Sequence, residues 1–245
     1  GLAVAGSLLS ACLLPFLPLP APASLPWLGA TIIVHVAYFL GLVETYRDND
    51  LSLAYPLMRG IAPVLVALFM AALGEPLGSR GVLGVALIGI GITLPAWSGL
   101  RQPAFGSRRR WYAASNGVII AVYTVIDGIG VRLSESAASY TLWLFFLDGW
   151  GILAIGVWRR GGGVAAHLCR RRVPAVAGSL LSVGSYGIVL WAMTVASIPA
   201  VAALRESSAV FAALLGHYLL KEPMGPWRLL GALFVALGAV LLRWG

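Results

Sequence analysis

Several ionisable side chains lie inside long apolar stretches of this 245-residue sequence. Insertion scales put the cost of an Arg, Lys or Asp at the centre of a membrane helix at about 2.5–3.5 kcal/mol, so each group needs a cavity, a partner or water. Asp148 has no obvious partner on its own helix and receives no role. The candidates for chemistry inside the stretches are His35, Arg59, Asp127, Asp148, Arg205 and Glu206.

The two arginines, Arg59 and Arg205, are candidate substrate-binding residues. A guanidinium group can hold a carboxylate or a phosphate through two parallel hydrogen bonds. The alternative is structural, with Arg205 paired to the adjacent Glu206 and Arg59 paired to Glu44 or Asp127. Both interpretations stay open at the level of the sequence.

Tyr55 lies four residues before Arg59 and shares its helical face, so it is also a candidate substrate contact. Pro56 and Pro63 weaken the hydrogen-bond ladder of the same helix. A helix broken there would free carbonyl oxygens that could serve as ligands. The alternative is that these are ordinary prolines, which membrane helices tolerate.

Asn116, Tyr123 and Asp127 form one polar stripe, because they are spaced by seven and then four residues. Asn116 and Tyr123 are candidate substrate contacts. Asp127 is the best acidic candidate for proton or cation coupling, since a carboxyl group removed from water can exchange a proton near neutral pH. Glu206 is the second coupling candidate. The alternative places Asp127 near the membrane surface, solvated and paired with Arg132.

His35 and Tyr38, three residues apart, form a weaker polar patch, and Tyr186 occupies the matching helix further along the chain. We include all three among the candidate substrate contacts. A lone histidine on an apolar helix can instead be a packing residue whose nitrogens are satisfied.

The composition predicts that the elements carrying these side chains are membrane helices. The chain is 60% hydrophobic and 11% charged, with a mean hydropathy of +0.90, whereas soluble domains are about 25% charged. The apolar runs lack the alternation of a membrane strand. The sequence predicts an all-α integral membrane protein with nine visible spans, Leu2–Phe16, Pro26–Thr45, Leu51–Leu73, Gly81–Trp97, Trp111–Val131, Ala137–Trp158, Pro174–Ala196, Pro199–Leu220 and Trp227–Trp244.

The net charge of +8 is concentrated in loops. Nine of the 17 Lys and Arg residues lie in the loops Gly99–Arg110 and Arg159–Val173. Short basic loops are retained in the cytoplasm, which predicts a multi-pass protein of the bacterial inner membrane rather than a nucleic-acid-binding protein. Cys12 and Cys169 show no metal-binding or redox spacing.

An internal repeat relates the two halves of the chain. Arg59 falls on Arg205 at an offset of 146 residues, and the offset becomes 147 for the pairs Glu75–Glu222, Pro76–Pro223, Gly84–Gly231 and Gly91–Gly238. The glycines, seven residues apart, predict a face for close helix packing. We assign residues 1–100 to a first, incomplete repeat and 111–245 to a second.

The offset places the partner of span Trp111–Val131 before Gly1, so we expect a tenth helix upstream. Five helices per repeat would invert the two halves in the membrane, which is typical of secondary transporters.

The corners Gly74–Pro76 and Lys221–Pro223, with the run "AYFLGLVETYRDNDLSLAYPLMRGIAPVLVALFMAALGEPL", resemble the EamA-type carriers of the drug/metabolite transporter superfamily. The resemblance implies ten helices in two inverted five-helix repeats, a central cavity, and transport, commonly export, of amino acids or other metabolites. It implies no cofactor. It also implies cytoplasmic termini, which would put both basic loops outside, against the charge count.

Two other functions stay open. A flippase for lipid-linked sugars would be favoured by a cavity that opens sideways into lipid. A membrane-embedded enzyme is less favoured, because His35, His167 and His217 follow no catalytic pattern. The expected partners are the lipid bilayer, a small solute and a coupling proton, with a second copy of the chain as a further candidate and no nucleic acid.

Overall fold

The computed structural model describes residues 2–45, 51–96, 107–160, 172–208 and 225–244, together with 210, 211, 214, 215 and 218. Most of the two basic loops and the corner at 221–223 therefore lie outside the described residues. Within these ranges the chain is helical and has no strand. The α-helices are α1 (Leu2–Leu13), α2 (Leu25–Thr45), α3 (Leu51–Ala72), α4 (Ser79–Thr93), α5 (Ser107–Leu133), α6 (Ala137–Arg160), α7 (Arg172–Val195), α8 (Ile198–Arg205) and α9 (Pro226–Arg243).

Six described segments are long and apolar enough to cross a membrane, which indicates a multi-pass membrane protein. They are Pro22–Leu42, Tyr55–Ala72, Arg110–Leu133, Ala137–Ala154, Val173–Val195 and Pro226–Arg243. The prediction of nine transmembrane helices is thus wrong in number for the described residues. Leu2–Phe16 and Ser79–Thr93 are apolar but shorter, and 15 residues of helix reach only about 22 Å.

The predicted span Pro199–Leu220 is interrupted after α8, and residues 208, 210, 211, 214, 215 and 218 beyond the interruption are again helical. Glu206 and Ser207 form a turn in which their N–H groups donate to the carbonyls of Ala203 and Leu204, each at 3.0 Å. Serines compete with the helix by bonding nearby backbone groups, which favours such an interruption. By contrast, α3 runs continuously through Pro56 and Pro63, which supports the alternative that both are ordinary prolines tolerated by a membrane helix.

The Gly-Glu-Pro motif is a helix-ending corner. Gly74 has φ of 90°, a left-handed conformation that glycine adopts without steric cost. This turns the chain so that the N–H groups of Gly74 and Glu75 donate to the carbonyls of Ala71 and Met70, at 3.2 and 2.9 Å. Pro76 then prevents the helix from continuing.

The chain divides into two compact units. The first unit consists of Gly1–Ala37 and Ile126–Val195, and the second of Tyr38–Val125 and Ala196–Gly245. Each unit therefore takes residues from both predicted repeats, 1–100 and 111–245. Spatial packing and sequence duplication are different properties, so the repeats stay a prediction.

In the first unit, α1 packs against α6 and α7 through small residues. A Cβ added to Gly149 would lie 2.7 Å from the Ala3 carbonyl oxygen, so the helices touch at backbone level. The Ser7 hydroxyl donates to the Phe146 carbonyl at 2.8 Å, and the Ser179 hydroxyl to the Leu2 carbonyl at 2.6 Å. These bonds hold together the helices of the unit that contains Asp127 and Asp148.

In the second unit, α4 packs against α9 through glycines. A Cβ added to Gly91 would lie 2.6 Å from the Gly231 carbonyl oxygen, and one added to Gly84 would lie 2.8 Å from that of Gly238. These pairings make the two helices antiparallel. They confirm that the glycines share a face for close packing.

Candidate functional site

Asp127 is the centre of a buried polar cluster in the first unit. Its side chain is 0% exposed. The Tyr186 hydroxyl donates to its Oδ2 atom, and the Tyr140 hydroxyl donates to Oδ1 over 3.4 Å. The Thr31 hydroxyl is beside the carboxyl group without the geometry of a hydrogen bond. Both oxygens of this carboxyl group are therefore held by tyrosines from different helices.

His35 lies between Asp127 and a second carboxyl group, that of Asp148. Its Nδ1 atom is 2.6 Å from Asp148 Oδ2, a hydrogen-bond distance. Its Nε2 atom is 3.8 Å from Asp127 Oδ2, which suits an ion pair but exceeds a hydrogen bond. The imidazole thus turns one ring nitrogen towards each carboxyl group. We call Thr31, His35, Asp127, Tyr140, Asp148 and Tyr186 the Asp127 cluster.

Helical spacing explains how the cluster is assembled. Thr31 and His35 are four residues apart on α2, and Tyr140 and Asp148 are eight apart on α6, so each pair shares a face. Asp127 comes from α5 and Tyr186 from α7. Four helices therefore each present a polar face to the same point.

The structure decides between two interpretations of Asp127. A solvated Asp127 paired with Arg132 does not fit the fully buried side chain, and the Arg132 Nε atom donates to the Met193 carbonyl at 2.8 Å. The contact with Asp148 satisfies one ring nitrogen of His35, so the alternative of a packing residue with satisfied nitrogens stays open. The functional roles proposed for Asp127, His35 and Tyr186 stay predictions.

Sequence reasoning missed Thr31 and Tyr140, and it gave no role to its candidate Asp148. The sequence did contain a signal for Tyr140 and Asp148. Their spacing of eight residues places a phenol and a carboxyl group on one helical face, as the spacing of Tyr123 and Asp127 does on α5. Thr31 carries no comparable signal, because threonine is common in membrane helices.

Glu206 is the centre of a second cluster, in the second unit. The Arg59 Nε atom lies 2.7 Å from Glu206 Oε2, and the Arg205 Nε atom donates to Glu206 Oε1 at 3.2 Å. The Glu206 side chain is 1% exposed. The Arg59 guanidinium carbon is 5.6 Å from the ring centre of Tyr55, within cation–π range. We call Tyr55, Arg59, Arg205 and Glu206 the Glu206 cluster.

The pairing in this cluster differs from the expected one. The expected Arg205–Glu206 pair is present, but Arg59 also pairs with Glu206, a partner that the sequence did not assign to it. Despite the short distance, Glu206 Oε2 accepts no well-aligned hydrogen bond from the described residues. The contact between Arg59 and Glu206 is therefore an ion pair in which Glu206 Oε2 can still accept a hydrogen bond.

The remaining predicted contacts lie elsewhere in the second unit. Tyr38 and Tyr123 pack edge to face, with ring centres 5.6 Å apart. The buried Asn116 donates from Nδ2 to Met58 Sδ at 3.2 Å, while its Oδ1 atom has no hydrogen-bond partner in the described part of the chain. Asn116, Tyr38 and Tyr123 stay predicted substrate contacts.

No group of three or more His, Cys, Asp or Glu side chains is placed to hold a metal ion within the described ranges. One cluster places carboxyl groups next to imidazole and phenol, which are groups able to exchange protons, and the other places a carboxyl group next to guanidinium, a group able to bind anions.

Comparison with known proteins relates the second half of the chain to membrane transporters. The model of the EamA-like transporter family matches residues 111–244. An uncharacterized protein of Pseudomonas aeruginosa is 28% identical over 241 residues, which cover 97% of this chain and 79% of that protein. The family match covers more than half of the chain, and its members are membrane transporters of the drug/metabolite type. The chain therefore belongs to the EamA-like transporter family.

Proposed function

We propose that the chain is a secondary transporter that exports a small polar metabolite, an amino acid or a similar carboxylate, across the bacterial inner membrane through a central cavity. Entry of a proton drives the export. The observation that carries this proposal is the fully buried Asp127 carboxyl group with His35 and Asp148 beside it. Ionisable groups buried inside membrane helices are energetically costly and mark ion or substrate pathways.

The Glu206 cluster supports the class of solute. Arg59 and Arg205 share one carboxylate, and Oε2 of that carboxylate lacks a well-aligned hydrogen bond among the described residues. A carboxylate on the solute can therefore compete with Glu206 for the Arg59 guanidinium group, whose planar fork suits such a ligand. If the solute carboxylate replaces Glu206 at Arg59, the charge next to the guanidinium group hardly changes.

The glycine contacts support the inverted arrangement of the repeats. Gly84 corresponds to Gly231 and Gly91 to Gly238 in the repeat, while the contacts join Gly84 to Gly238 and Gly91 to Gly231. Exchanging each glycine for its counterpart leaves this contact pattern unchanged. A twofold axis between two antiparallel helices produces such a pattern, and inverted repeats are typical of secondary transporters.

The test is solute efflux from vesicles that contain the purified protein. Vesicles preloaded with labelled amino acids, phosphonates or sugars should release an amino acid or another carboxylate faster when the outside is acidified. Asp127→Asn should abolish the acceleration, whereas Glu75→Gln, which removes an exposed carboxyl group, should retain it. Efflux that is independent of the pH gradient, or no efflux of any solute, would contradict the proposal.

A flippase for lipid-linked sugars is the second candidate, because the first unit has an apolar groove. The groove has a volume of about 410 Å³ and is lined by residues of α6 and α7, among them Leu142, Val183, Ile188 and Trp191. Its dimensions and lining suit an acyl chain. Faster movement of a fluorescent lipid-linked sugar between leaflets, with no solute efflux, would favour the flippase.

A further inference from the structure

We infer that Asp148 and His35 deliver the coupling proton to Asp127, with Asp148 as the group that first receives it. The inference rests on the proposed role of Asp127 as the coupling residue. It assigns a function to Asp148, and it makes His35 a relay for protons rather than a substrate contact.

The exposure of the three side chains gives the path its direction. The Asp148 side chain is 12% exposed, that of His35 is 9% exposed, and that of Asp127 is 0% exposed. His35 and Asp148 are both partly exposed, and Asp148 contacts the ring nitrogen that is turned away from Asp127, so the proton enters at Asp148. Because Asp127 is fully buried, it receives the proton from a neighbouring side chain, which is His35 in this path.

The two ring nitrogens of His35 complete the path. The Asp148 Oδ2 proton moves to His35 Nδ1 across 2.6 Å, while the proton on Nε2 moves to Asp127 Oδ2. The ring is neutral before and after, with its proton transferred from Nε2 to Nδ1. One proton leaves Asp148 and one arrives at Asp127, so the transfer balances. Histidine suits this task because its affinity for protons is intermediate.

The second step is interrupted in this conformation. Proton transfer needs heavy atoms about 2.6–3.2 Å apart, whereas His35 Nε2 and Asp127 Oδ2 are 3.8 Å apart. Tyr186 donates to that same oxygen and so holds the carboxyl group in place. Tyr186 is therefore a positioning residue, and a small movement of the histidine ring closes or opens the path.

The charge of the cluster favours uptake of a proton. The charged and titratable groups that face Asp127 in the described part of the chain are His35 on α2, Tyr140 and Asp148 on α6, and Tyr186 on α7. With both carboxyl groups ionised and His35 neutral, the cluster carries two negative charges. One added proton reduces this to one negative charge, which lowers the cost of burial.

The experiment is a light-triggered proton release that is followed by time-resolved infrared absorption, with the full chain in phosphatidylethanolamine–phosphatidylglycerol vesicles. The probe is the proton alone. The carboxylic acid band that Asp127→Asn removes is the signal of Asp127. Asp148→Asn and His35→Gln should leave its final amplitude but slow its appearance about 100-fold, the lower end of what a positioned proton donor contributes.

Conservative and control variants separate delivery from structure. Asp148→Glu should restore the rate to within about tenfold, because a carboxyl group is again present, and Glu75→Gln should leave the rate unchanged. An unchanged rate in both Asp148→Asn and His35→Gln would overturn the relay while leaving Asp127 as the coupling residue. If Asp127→Asn removes no band, the coupling role of Asp127 fails and the relay fails with it.

Discussion

Asp127 and Glu206 are buried carboxyl groups whose partners differ in kind. The partners of Asp127 are two phenols and an imidazole, whereas Glu206 contacts two guanidinium groups. An arginine is always charged, while phenol and imidazole can give or take a proton. The first site therefore suits proton exchange and the second suits anion binding.

Arg59 offers the sharpest test of anion binding. Arg59→Ala should reduce carboxylate efflux at least about tenfold with little loss of folded protein, and Arg59→Lys should restore only part, since an ammonium group cannot form the guanidinium fork. The measurement is the initial efflux rate from vesicles, normalised to folded protein. Arg80→Ala, which removes an exposed arginine of the same unit, serves as the control. Full activity of Arg59→Ala would leave Arg59 with a structural role.

The two tyrosines on Asp127 should differ in their contribution to stability. Tyr186 makes the shorter bond to the carboxyl group, and Tyr140 makes a long one of 3.4 Å. Hydrogen bonds to charged groups contribute about 1.5–3 kcal/mol, so Tyr186→Phe should lower the free energy of unfolding by that amount and Tyr140→Phe by less. Thermal unfolding in detergent measures both. A larger loss in Tyr140→Phe would show that the stronger contact is with Tyr140.

At the scale of elements, glycines act through two separate mechanisms. At Gly91 the neighbouring helix leaves no room for a Cβ, while at Gly74 there is open space but φ is positive. Gly29 combines open space with an ordinary helical position in α2. These three sites separate the packing of α4 on α9 from the geometry of the corner after α3.

Gly91→Ala should destabilise the protein through contact with α9. The new Cβ would lie 2.6 Å from the Gly231 carbonyl oxygen, and overpacking typically costs about 1–3 kcal/mol. The midpoint of thermal unfolding in detergent should fall. Gly29→Ala should leave it unchanged or raise it, since alanine favours the helix. If both variants melt alike, the close approach of α4 and α9 does not limit stability.

Gly74→Ala should destabilise the protein without any new contact. The cost is that of a side chain in the left-handed conformation, about 1–2 kcal/mol. The difference in unfolding free energy between Gly74→Ala and Gly29→Ala measures the cost of this backbone conformation. At neither site do the described residues place a neighbouring atom within 4 Å of the added Cβ. Equal stability of the two variants would mean that the corner adopts another conformation.

At the scale of the whole molecule, charge predicts the orientation of the chain in the membrane. The loop at Gly99–Arg110 carries four arginines and no acid, while the turn at Arg132–Glu135, at the other end of α5, has no net charge. The positive-inside rule places the first in the cytoplasm and the second outside. The family resemblance implies the reverse.

Cysteine labelling decides between the two orientations. In a background without Cys12 and Cys169, Gly106→Cys should be protected from a membrane-impermeant thiol reagent in intact cells, and Glu135→Cys should react. The opposite pattern would show that the chain inserts against the charge bias.

The sequence alone was sufficient for the local features. The all-helical class, most helix boundaries, the glycine face at Gly84 and Gly91, and the family follow from hydropathy, period and motif, which are properties of contiguous residues. The interruption at Glu206 was missed because no proline or glycine marks it. Among the described residues, two apolar helices, Leu2–Phe16 and Ser79–Thr93, are shorter than a spanning helix, a difference that apolar composition does not reveal.

Only the tertiary structure decided the partners of the buried charges. The sequence assigned no partner to Asp148, yet it touches His35 from 113 residues away. Arg59 meets Glu206 rather than either candidate chosen from the sequence. The identity of such partners depends on which faces of different helices pack together. That is a property of the assembled helices, and the polar stripe of one helix can show only that a partner is needed, not which residue supplies it.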